Sequence, residues 1–219
     1  MKLTQRMLTS AILLAAFAIT GTGLVAFAFE KTKGRIAHAE REALLRNLHS
    51  VVKPESHDNE LFNDMITVTS PQYLGTKQAL PVFRARNNEQ PYAVILTAIA
   101  PDGYNGDIKL LIGIKYDGTI TGVRVIDHRE TPGLGDAIET RRSNWILSFD
   151  GLNISNPDKK KWKVKRDGGY FDQFTGATIT PRAVVKAVAK ALQYYELNRD
   201  NLFNKPSDTI VNQHAQITQ

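Results

Sequence analysis

The chain has 219 residues and no cysteine. It therefore contains no disulfide bond, no thiolate nucleophile, and no zinc or iron–sulfur cluster held by cysteines. The sequence also lacks a phosphate-binding Walker loop and a serine in a nucleophile-elbow pattern. No metal site is predicted, because no metal-ligand spacing connects the five histidines, His38, His49, His57, His128 and His214. Any redox chemistry in this chain must use another kind of cofactor.

Charged residues are absent from one long stretch near the N-terminus, Met7 to Phe29. This mostly apolar run has 23 residues, and as a helix it would reach roughly 34 Å, enough for a hydrocarbon core of about 30 Å. A secretory signal has a shorter apolar core, so an uncleaved anchor is favoured. The alternative is cleavage at Ala26-Phe27-Ala28, which has the small-x-small form of a processing site and would release a soluble domain.

Positive charges flank this anchor on both sides. Lys2 and Arg6 precede it and place the N-terminus in the cytoplasm by the positive-inside rule, whereas Lys31, Lys33 and Arg35 compete from the other end. The net charge of +6 and the pI near 9.5 are compatible with nucleic acid or with anionic lipid. An outward-facing domain makes nucleic acid unsuitable, so membrane lipid is the expected contact.

About 190 residues follow the anchor, enough for one hydrophobic core and short for two. The amphipathic segment from Ala39 to Val52 predicts a helix that Pro54 ends. We predict a cytoplasmic N-terminus (1–6), a transmembrane anchor (7–29), a juxtamembrane helix (30–54), one domain (55–199), and a polar tail that frays from Asp200 onward (200–219).

The clearest sheet signal is the apolar run from Tyr92 to Ala100, which has the length of a central strand. Residues 107–116 and 119–128 follow it on either side of Asp117-Gly118, a pair that suits a two-residue hairpin turn. The alternation of apolar residues shifts by one position across Gly122, from Ile120 to Val123 and Val125, and this shift predicts a β-bulge. Strands grouped together, with helices before, between and after them, predict an α+β fold with a largely antiparallel sheet.

Other segments have weaker patterns. Residues 63–68 and 80–86 are possible short strands. Asp136 and Glu139 have the spacing of a capping box and predict a helix that continues through Phe149.

A lysine-rich segment, KKKWKVK, occupies residues 159–165. Trp162 and Val164 alternate there with lysines, and this period of two predicts a strand with one solvent-exposed, basic face. A dedicated patch for anions is the alternative interpretation.

A strongly helical run follows Pro181, because Val184, Val188 and Leu192 recur at helical spacing. Thr180 is a suitable N-cap for this helix, and Pro181 suits the first helical position. A helix N-terminus presents unpaired N–H groups and a partial positive charge, which favour an anion such as phosphate.

Two threonines flank the predicted helix start, with small residues between them. One interpretation of Thr175, Gly176, Ala177 and Thr178 is an ordinary turn and cap. The other is that the Thr178 hydroxyl carries a phosphate, which the amides of Gly176 and Ala177 stabilise. Small residues allow that close approach.

A second candidate site is the segment from His128 to Glu139, HRETPGLGDAIE. Thr131-Pro132-Gly133 fits a type II turn, and a turn alone would explain it. Gly133 and Gly135, two residues apart, also leave exposed backbone against which a flat ring could lie. As a dinucleotide fingerprint the segment is weak, because the third glycine and the βαβ surroundings are absent.

These two segments together resemble a known family. DQFTGATIT, residues 172–180, resembles the flavinylation motif of FMN-binding domains, in which FMN is joined through its phosphate to a threonine hydroxyl; here the acceptor position falls on Thr178. ETPGLG, residues 130–135, resembles the same family's loop beside the isoalloxazine. With one N-terminal span, the chain resembles the G subunits of Rnf/Rsx electron transport complexes. The C subunits of sodium-translocating NADH:quinone oxidoreductases are the alternative.

The resemblance implies covalent FMN at Thr178 and a separate flavin transferase that reads Asp172, since no evident base lies near Thr178. It also implies an electron-carrying redox subunit, not catalytic in isolation, that links ferredoxin and NAD to ion movement beside other subunits. The implied location is the bacterial inner membrane, with a periplasmic domain. The implied cofactor contacts are Thr175, Gly176, Ala177, Thr180, Glu130, Thr131, Pro132, Gly133, Leu134 and Gly135. An anchored binding or assembly module without cofactor and a released soluble flavoprotein are the rival hypotheses.

Overall fold

The structure, a computed structural model, describes residues 2–208. Within that range the α-helices and strands follow one another in the order α1, β1, α2, β2, β3, β4, β5, α3. The helices are α1 (Lys2–His49), α2 (Pro71–Leu74) and α3 (Ile179–Asn204), and the strands are β1 (Met65–Val68), β2 (Leu80–Asn87), β3 (Gln90–Ala100), β4 (Ile108–Lys115) and β5 (Ile120–Asp127). Short 3₁₀ helices lie at Pro54–Ser56, Gly135–Ile138, Trp145–Phe149, Lys159–Lys161 and Lys165–Asp167.

The chain divides into two compact units, Met1–Arg46 and Asn47–Gln219. The first unit belongs to α1, whose apolar side chains such as Leu14 and Phe17 are exposed. Among the described residues, α1 is the one helix long and apolar enough to cross a membrane. It continues without a break to His49, so the predicted anchor and the helix after it form one element.

The second unit contains a five-stranded sheet in the order β1-β2-β3-β4-β5, with every neighbouring pair antiparallel. β3 lies at its centre and is buried along most of its length, as its continuous apolar run predicts. α3 packs its apolar side chains into the core of this sheet, including Val184, Val188, Leu192 and Tyr195. The α+β prediction is confirmed.

The β4–β5 hairpin has the predicted bulge, but its turn is longer than the predicted two residues. The Lys115 N–H donates to the Thr119 carbonyl oxygen at 2.8 Å, so residues 116–118 form a three-residue loop, in which Gly118 has φ +90. Gly113 pairs with Gly122, whereas Ile114 pairs with Ile120, so Thr121 is the extra residue of the bulged strand. A Cβ on Gly113 would lie 2.8 Å from the carbonyl oxygen of Val51. Glycine is therefore required where the chain after α1 crosses the sheet.

Two predicted regular elements are wrong. The supposed capping box opens no α-helix, because Asp136 lies inside the 3₁₀ helix Gly135–Ile138 and its Oδ1 accepts a hydrogen bond from the Gly133 N–H at 2.8 Å. The lysine segment forms no strand; it contains the 3₁₀ helix Lys159–Lys161 and the start of the 3₁₀ helix Lys165–Asp167, with residues 162–164 between them. Its apolar side chains, Trp162 and Val164, are both buried, so the alternation reflects burial between turns rather than a sheet.

The boundaries of α3 also differ from the prediction. The helix begins at Ile179, so Thr178 and not Thr180 occupies the N-cap position, and its side chain makes no capping hydrogen bond. At the other end, the predicted fraying from Asp200 is wrong as far as Asn204, because Leu202 and Phe203 are buried. Residues 209–219 of the predicted tail lie outside the described residues.

A buried arginine explains why the last turn of α3 is ordered. Arg84 on β2 is only 2% exposed and donates through Nη1 to the carbonyl oxygens of Leu202 and Phe203, at 3.1 and 3.3 Å. Its guanidinium also pairs with Asp64 and donates to the Ser207 hydroxyl. The unpaired carbonyls of a helix C-terminus need such donors. Arg84 therefore joins the end of α3 to the sheet.

Replacing Arg84 is expected to be strongly destabilising, because it leaves Asp64 and the helix carbonyls without their partner. Arg84→Ala should lower the free energy of unfolding by about 3–5 kcal/mol, measured by urea unfolding of the full chain in detergent. The control is Arg199→Ala, which removes an arginine that is 43% exposed and should cost below about 1 kcal/mol. Equal losses in the two variants would contradict the role of Arg84 in joining the end of α3 to the sheet.

Asp64 should make the fold sensitive to acid. Burial raises the pKa of Asp64, but hydrogen bonds from Arg86 and Ser207 and the charges of Arg84 and Arg86 outweigh burial and hold this pKa below its ordinary value. A lowered pKa in the folded state gives stability that is present above the unfolded pKa and is lost as pH falls through the folded one.

The melting temperature of the wild type should therefore fall more steeply than that of Asp64→Asn between about pH 5 and about pH 3. The variant should melt lower at neutral pH, since it lacks the ion pairs. If the melting temperatures of the wild type and Asp64→Asn fell in parallel over this pH range, folding would leave the pKa of Asp64 unchanged.

Candidate functional site

A cavity of about 260 Å³ lies where the loop after β5 meets the start of α3. Three segments form its walls: the β3–β4 connection, the segment from Glu130 to Gly135, and the residues that lead into α3. Its lining residues are Tyr104, Glu130, Thr131, Leu134, Gly135, Gly176, Ala177, Thr178, Ile179 and Thr180.

The structure thus brings together both segments that the sequence singled out, although they are about 40 residues apart in the chain. Four residues of the predicted site do not line the cavity: Thr175, Pro132, Gly133 and Asp172. Two lining residues were missed, Tyr104 and Ile179. Tyr104 had a usable signal, since it is an aromatic residue between Gly103 and Gly106 in a turn.

Glu130 is the polar centre of this region, and it is only 4% exposed. Its Oε1 accepts a hydrogen bond from the Asn105 N–H at 2.9 Å, and its Oε2 accepts from the Tyr104 N–H at 3.3 Å. The same Oε2 accepts from the Thr180 hydroxyl on α3. One carboxylate therefore joins all three walls of the cavity.

The two glycines of the site have different roles. Gly176 has φ +80, and a Cβ there would meet only Leu134, at 3.7 Å, so the backbone angle rather than space requires glycine. Gly135 is buried, and a Cβ there would lie 2.9 Å from Glu130 Cβ and 3.1 Å from Thr180 Oγ1. Its lack of a side chain therefore admits the contact between Glu130 and Thr180.

The predicted turn at Thr131-Pro132-Gly133 is present. The Leu134 N–H donates to the Thr131 carbonyl oxygen at 3.2 Å, and Gly133 has φ +78, as position three of a type II turn requires. The Asp136 carboxylate stabilises this turn, because it accepts a hydrogen bond from the Gly133 N–H. It also pairs with Arg142 at 3.0 Å.

His128 and Glu139 close the two ends of the same loop. His128 Nδ1 accepts from the Glu130 N–H at 3.0 Å, so Nε2 carries the proton that is donated to Glu139 Oε1 at 2.6 Å. The hydrogen bond from Arg141, with a further one from His128, lowers the pKa of Glu139 to about 2 despite burial. This carboxylate is ionised at neutral pH and keeps the loop closed.

Thr178 lies half-buried on the cavity wall at the N-cap of α3. The Ala177 N–H donates to the Phe174 carbonyl oxygen at 3.2 Å, so it is not free for a phosphate as the sequence suggested. The first amides of the helix, those of Ile179 and Thr180, have no partner within the helix. They are the donors that an anion at Thr178 could reach.

The segment before Thr178 is held from its other side by an aromatic residue. Trp145 Nε1 donates to the Asp172 carbonyl oxygen at 2.8 Å, and the Trp145 and Phe174 rings are 5.0 Å apart in a T-shaped contact. The Asp172 carboxylate itself is 68% exposed and pairs with Lys165 at 2.6 Å. Asp172 is thus accessible from outside while its backbone is fixed.

Comparison with known proteins first gives the class of protein. Residues 103–193 match the FMN-binding domain family, and residues 1–51 match the RnfG N-terminal region. The first match contains every residue that lines the cavity. The fold and the site thus define a protein with an FMN-binding domain that follows an N-terminal helix able to cross a membrane.

The relatives then define the family. The G subunit of the ion-translocating oxidoreductase complex of Vibrio atlanticus is 51% identical over 195 residues, which cover 89% of this chain and 93% of the relative. The same subunit of the Pseudomonas aeruginosa complex is 50% identical over 198 residues, covering 90% and 92%. The chain belongs to the family of ion-translocating oxidoreductase complex G subunits, which confirms the resemblance noted in the sequence.

Among solved structures, the chain is similar to NqrC of Shewanella oneidensis, with 22% identity, a TM-score of 0.46, and coverage of 73% of this chain and 74% of the other. It is also similar to the C subunit of the Na⁺-translocating NADH-quinone reductase of Parabacteroides distasonis, with 23% identity, a TM-score of 0.46, and coverage of 68% and 81%.

The residues present fit part of an FMN molecule. Tyr104, Leu134 and Ile179 are 64%, 46% and 46% exposed and surround the cavity with apolar surface that a flat ring could cover. The start of α3 offers amides for an anionic group. The cavity is slightly smaller than the roughly 300–1,000 Å³ of typical ligand sites. It can therefore enclose only a portion of the cofactor.

Glu130 is expected to fix the cavity walls, and its amide variant tests this. Glu130→Gln keeps the shape but puts an NH₂ group where a carboxylate oxygen accepts a hydrogen bond, which should cost about 1–3 kcal/mol of unfolding free energy. Hydrogen exchange at the Tyr104 and Asn105 amides should become faster in the flavin-free protein. The matched control is Glu196→Gln on the exposed side of α3. Unchanged exchange at both amides would contradict this role.

Proposed function

We propose that the chain is an electron-carrying subunit of an ion-translocating oxidoreductase complex and holds FMN through a phosphoester at Thr178. One observation carries the proposal: Thr178 is at the N-cap of α3, on the wall of the cavity, where its hydroxyl makes no capping hydrogen bond. The side-chain oxygen of a threonine at that position usually accepts a hydrogen bond from a backbone N–H of the first turn. Here the oxygen stays available.

Different described residues would contact the phosphate and the flat ring of the cofactor. The Ile179 and Thr180 amides would face the phosphate, which lies at the positive end of α3. Leu134 and Tyr104 would contact the flat ring, on the side of the loop that Glu130 and Asp136 hold in place. Bound FMN supplies the redox chemistry, since a flavin can pass electrons singly or in pairs.

Attachment needs an outside catalyst. Glu130 is the only carboxylate among the cavity-lining residues, and three donors already occupy it. The part of the chain that the structure describes therefore offers Thr178 no free general base at the cavity. The Thr178 oxygen would bond to the phosphorus of the flavin half of a flavin dinucleotide. The P–O bond of the phosphoanhydride would break, and the other mononucleotide would leave with the proton of the hydroxyl. A separate flavin transferase would catalyse this exchange, and the exposed Asp172 carboxylate would be part of the segment it reads.

The proposed setting is the bacterial inner membrane. α1 would anchor the chain in lipid with its N-terminus in the cytoplasm, as Lys2 and Arg6 favour, and the FMN-binding domain would be periplasmic. Other subunits of the complex would exchange electrons with this one, linking ferredoxin and NAD to ion movement. The relatives named as complex subunits support this assembly. The absence of cysteine means that any iron–sulfur centre would belong to another subunit.

The test is the fluorescence of the denatured protein in a gel after co-expression with an active flavin transferase. Wild type and Thr178→Ser should fluoresce, because both present a hydroxyl, whereas Thr178→Ala should be dark. Thr140→Ala is the matched control, since Thr140 is exposed, lies outside the motif at residues 172–180 and does not line the cavity, and it should keep its flavin.

A dark wild type beside a labelled control substrate would overturn the covalent attachment and favour an anchored module without cofactor. Fluorescence of Thr178→Ala equal to wild type would place the attachment on another residue.

A further inference from the structure

Six cations occupy one short segment of the surface, which we call the cationic lobe. All six side chains are exposed, whereas the apolar residues between them, Trp162 and Val164, are buried. The lobe consists of Lys159, Lys160, Lys161, Lys163, Lys165 and Arg166. Because no sheet forces this alternation, two buried anchors hold the cations outward on ordered turns.

Most of this charge has no carboxylate partner. Among the described residues, Lys165 is the one lobe cation with an ion pair, to Asp172 at 2.6 Å. The neighbouring acids are used elsewhere: Asp158 accepts from the Lys160 backbone N–H at 2.9 Å, and Asp167 pairs with Arg182 at 2.5 Å. A concentrated charge of one sign attracts an oppositely charged partner over roughly a Debye length.

The lobe is connected directly to the segment that carries Thr178. Val164 pairs with Phe171 in an isolated β-bridge, and the Arg166 N–H donates to Gln173 Oε1 at 3.2 Å. The Lys165–Asp172 ion pair adds a third link. Anything that docks on the lobe is therefore held next to Asp172 and the residues that follow it.

We propose that the cationic lobe is a docking surface for an acidic face of the enzyme that attaches FMN. This inference rests on the proposed attachment at Thr178. The connection to the acceptor segment favours this partner over a lipid surface, because an enzyme that modifies Thr178 must come within reach of that segment. Complementary charge raises the rate of encounter between two proteins more than it changes the chemical step. The lobe would therefore raise kcat/KM for flavin attachment and leave kcat unchanged.

The experiment compares rates of flavin attachment to the full-length chain in detergent, with purified transferase and flavin adenine dinucleotide. The lobe variant Lys160→Glu/Lys163→Glu is matched with Lys53→Glu/Lys77→Glu, which reverses two exposed lysines elsewhere in the same unit. At low salt we expect kcat/KM to fall at least about tenfold in the lobe variant. The loss should shrink in about 0.5 M salt, since screening weakens the attraction. The matched control should stay within about twofold of wild type at both salt concentrations.

Several outcomes separate the hypotheses. Full flavin occupancy of the lobe variant at high transferase concentration would show that it is folded and that only encounter is impaired. Equal kcat/KM for the two variants, with a flavinylated wild type, would overturn the docking surface and leave the proposed function intact. A wild type that takes no flavin would overturn both. If rates are equal but the lobe variant alone loses binding to vesicles containing anionic lipid, the lobe is a membrane contact instead.

Discussion

The candidate site depends on the burial of one carboxylate. Glu130 is almost fully removed from water, and a polar group there is tolerated only when hydrogen-bond partners surround it. Its donors come from the β3–β4 connection and from α3, so separating any wall of the cavity would leave buried carboxyl oxygens without hydrogen-bond donors. Gly135 is part of the same constraint, because a side chain there would occupy the space between Glu130 and Thr180. The shape of the cavity follows from these contacts.

α3 transmits this constraint across the whole domain. The helix has 26 residues and is roughly 39 Å long. At its N-terminus Thr180 is bound to Glu130, and at its C-terminus the carbonyl groups are bound to Arg84. A long helix with one end free could pivot on its apolar stripe. Two polar attachments at opposite ends, both to the sheet or its loops, define where Thr178 lies.

The sequence predicted those features whose cause is local. The central strand, the Asp117-Gly118 hairpin and the bulge at Gly122 follow from apolar period and turn chemistry, and the structure has all three. The 3₁₀ helices after β5 could not be predicted, because distant contacts such as Trp145 with Asp172 hold them. The candidate site shows the same division. The motif residues converge as expected, whereas Tyr104 comes from another loop, and its backbone N–H donates to Glu130 at 3.3 Å.

Under the proposed function, the form of the cavity and a covalent attachment are complementary. A space of about 260 Å³ would leave much of an FMN outside, so contacts with Leu134 and Tyr104 alone would bind it weakly. A phosphoester at Thr178 would keep the ring beside these residues at an effective concentration on the order of millimolar, whatever the strength of the contacts. A deeper pocket would bind FMN without a bond but would shield it from partners. An electron carrier needs the opposite, a cofactor that is retained and yet exposed.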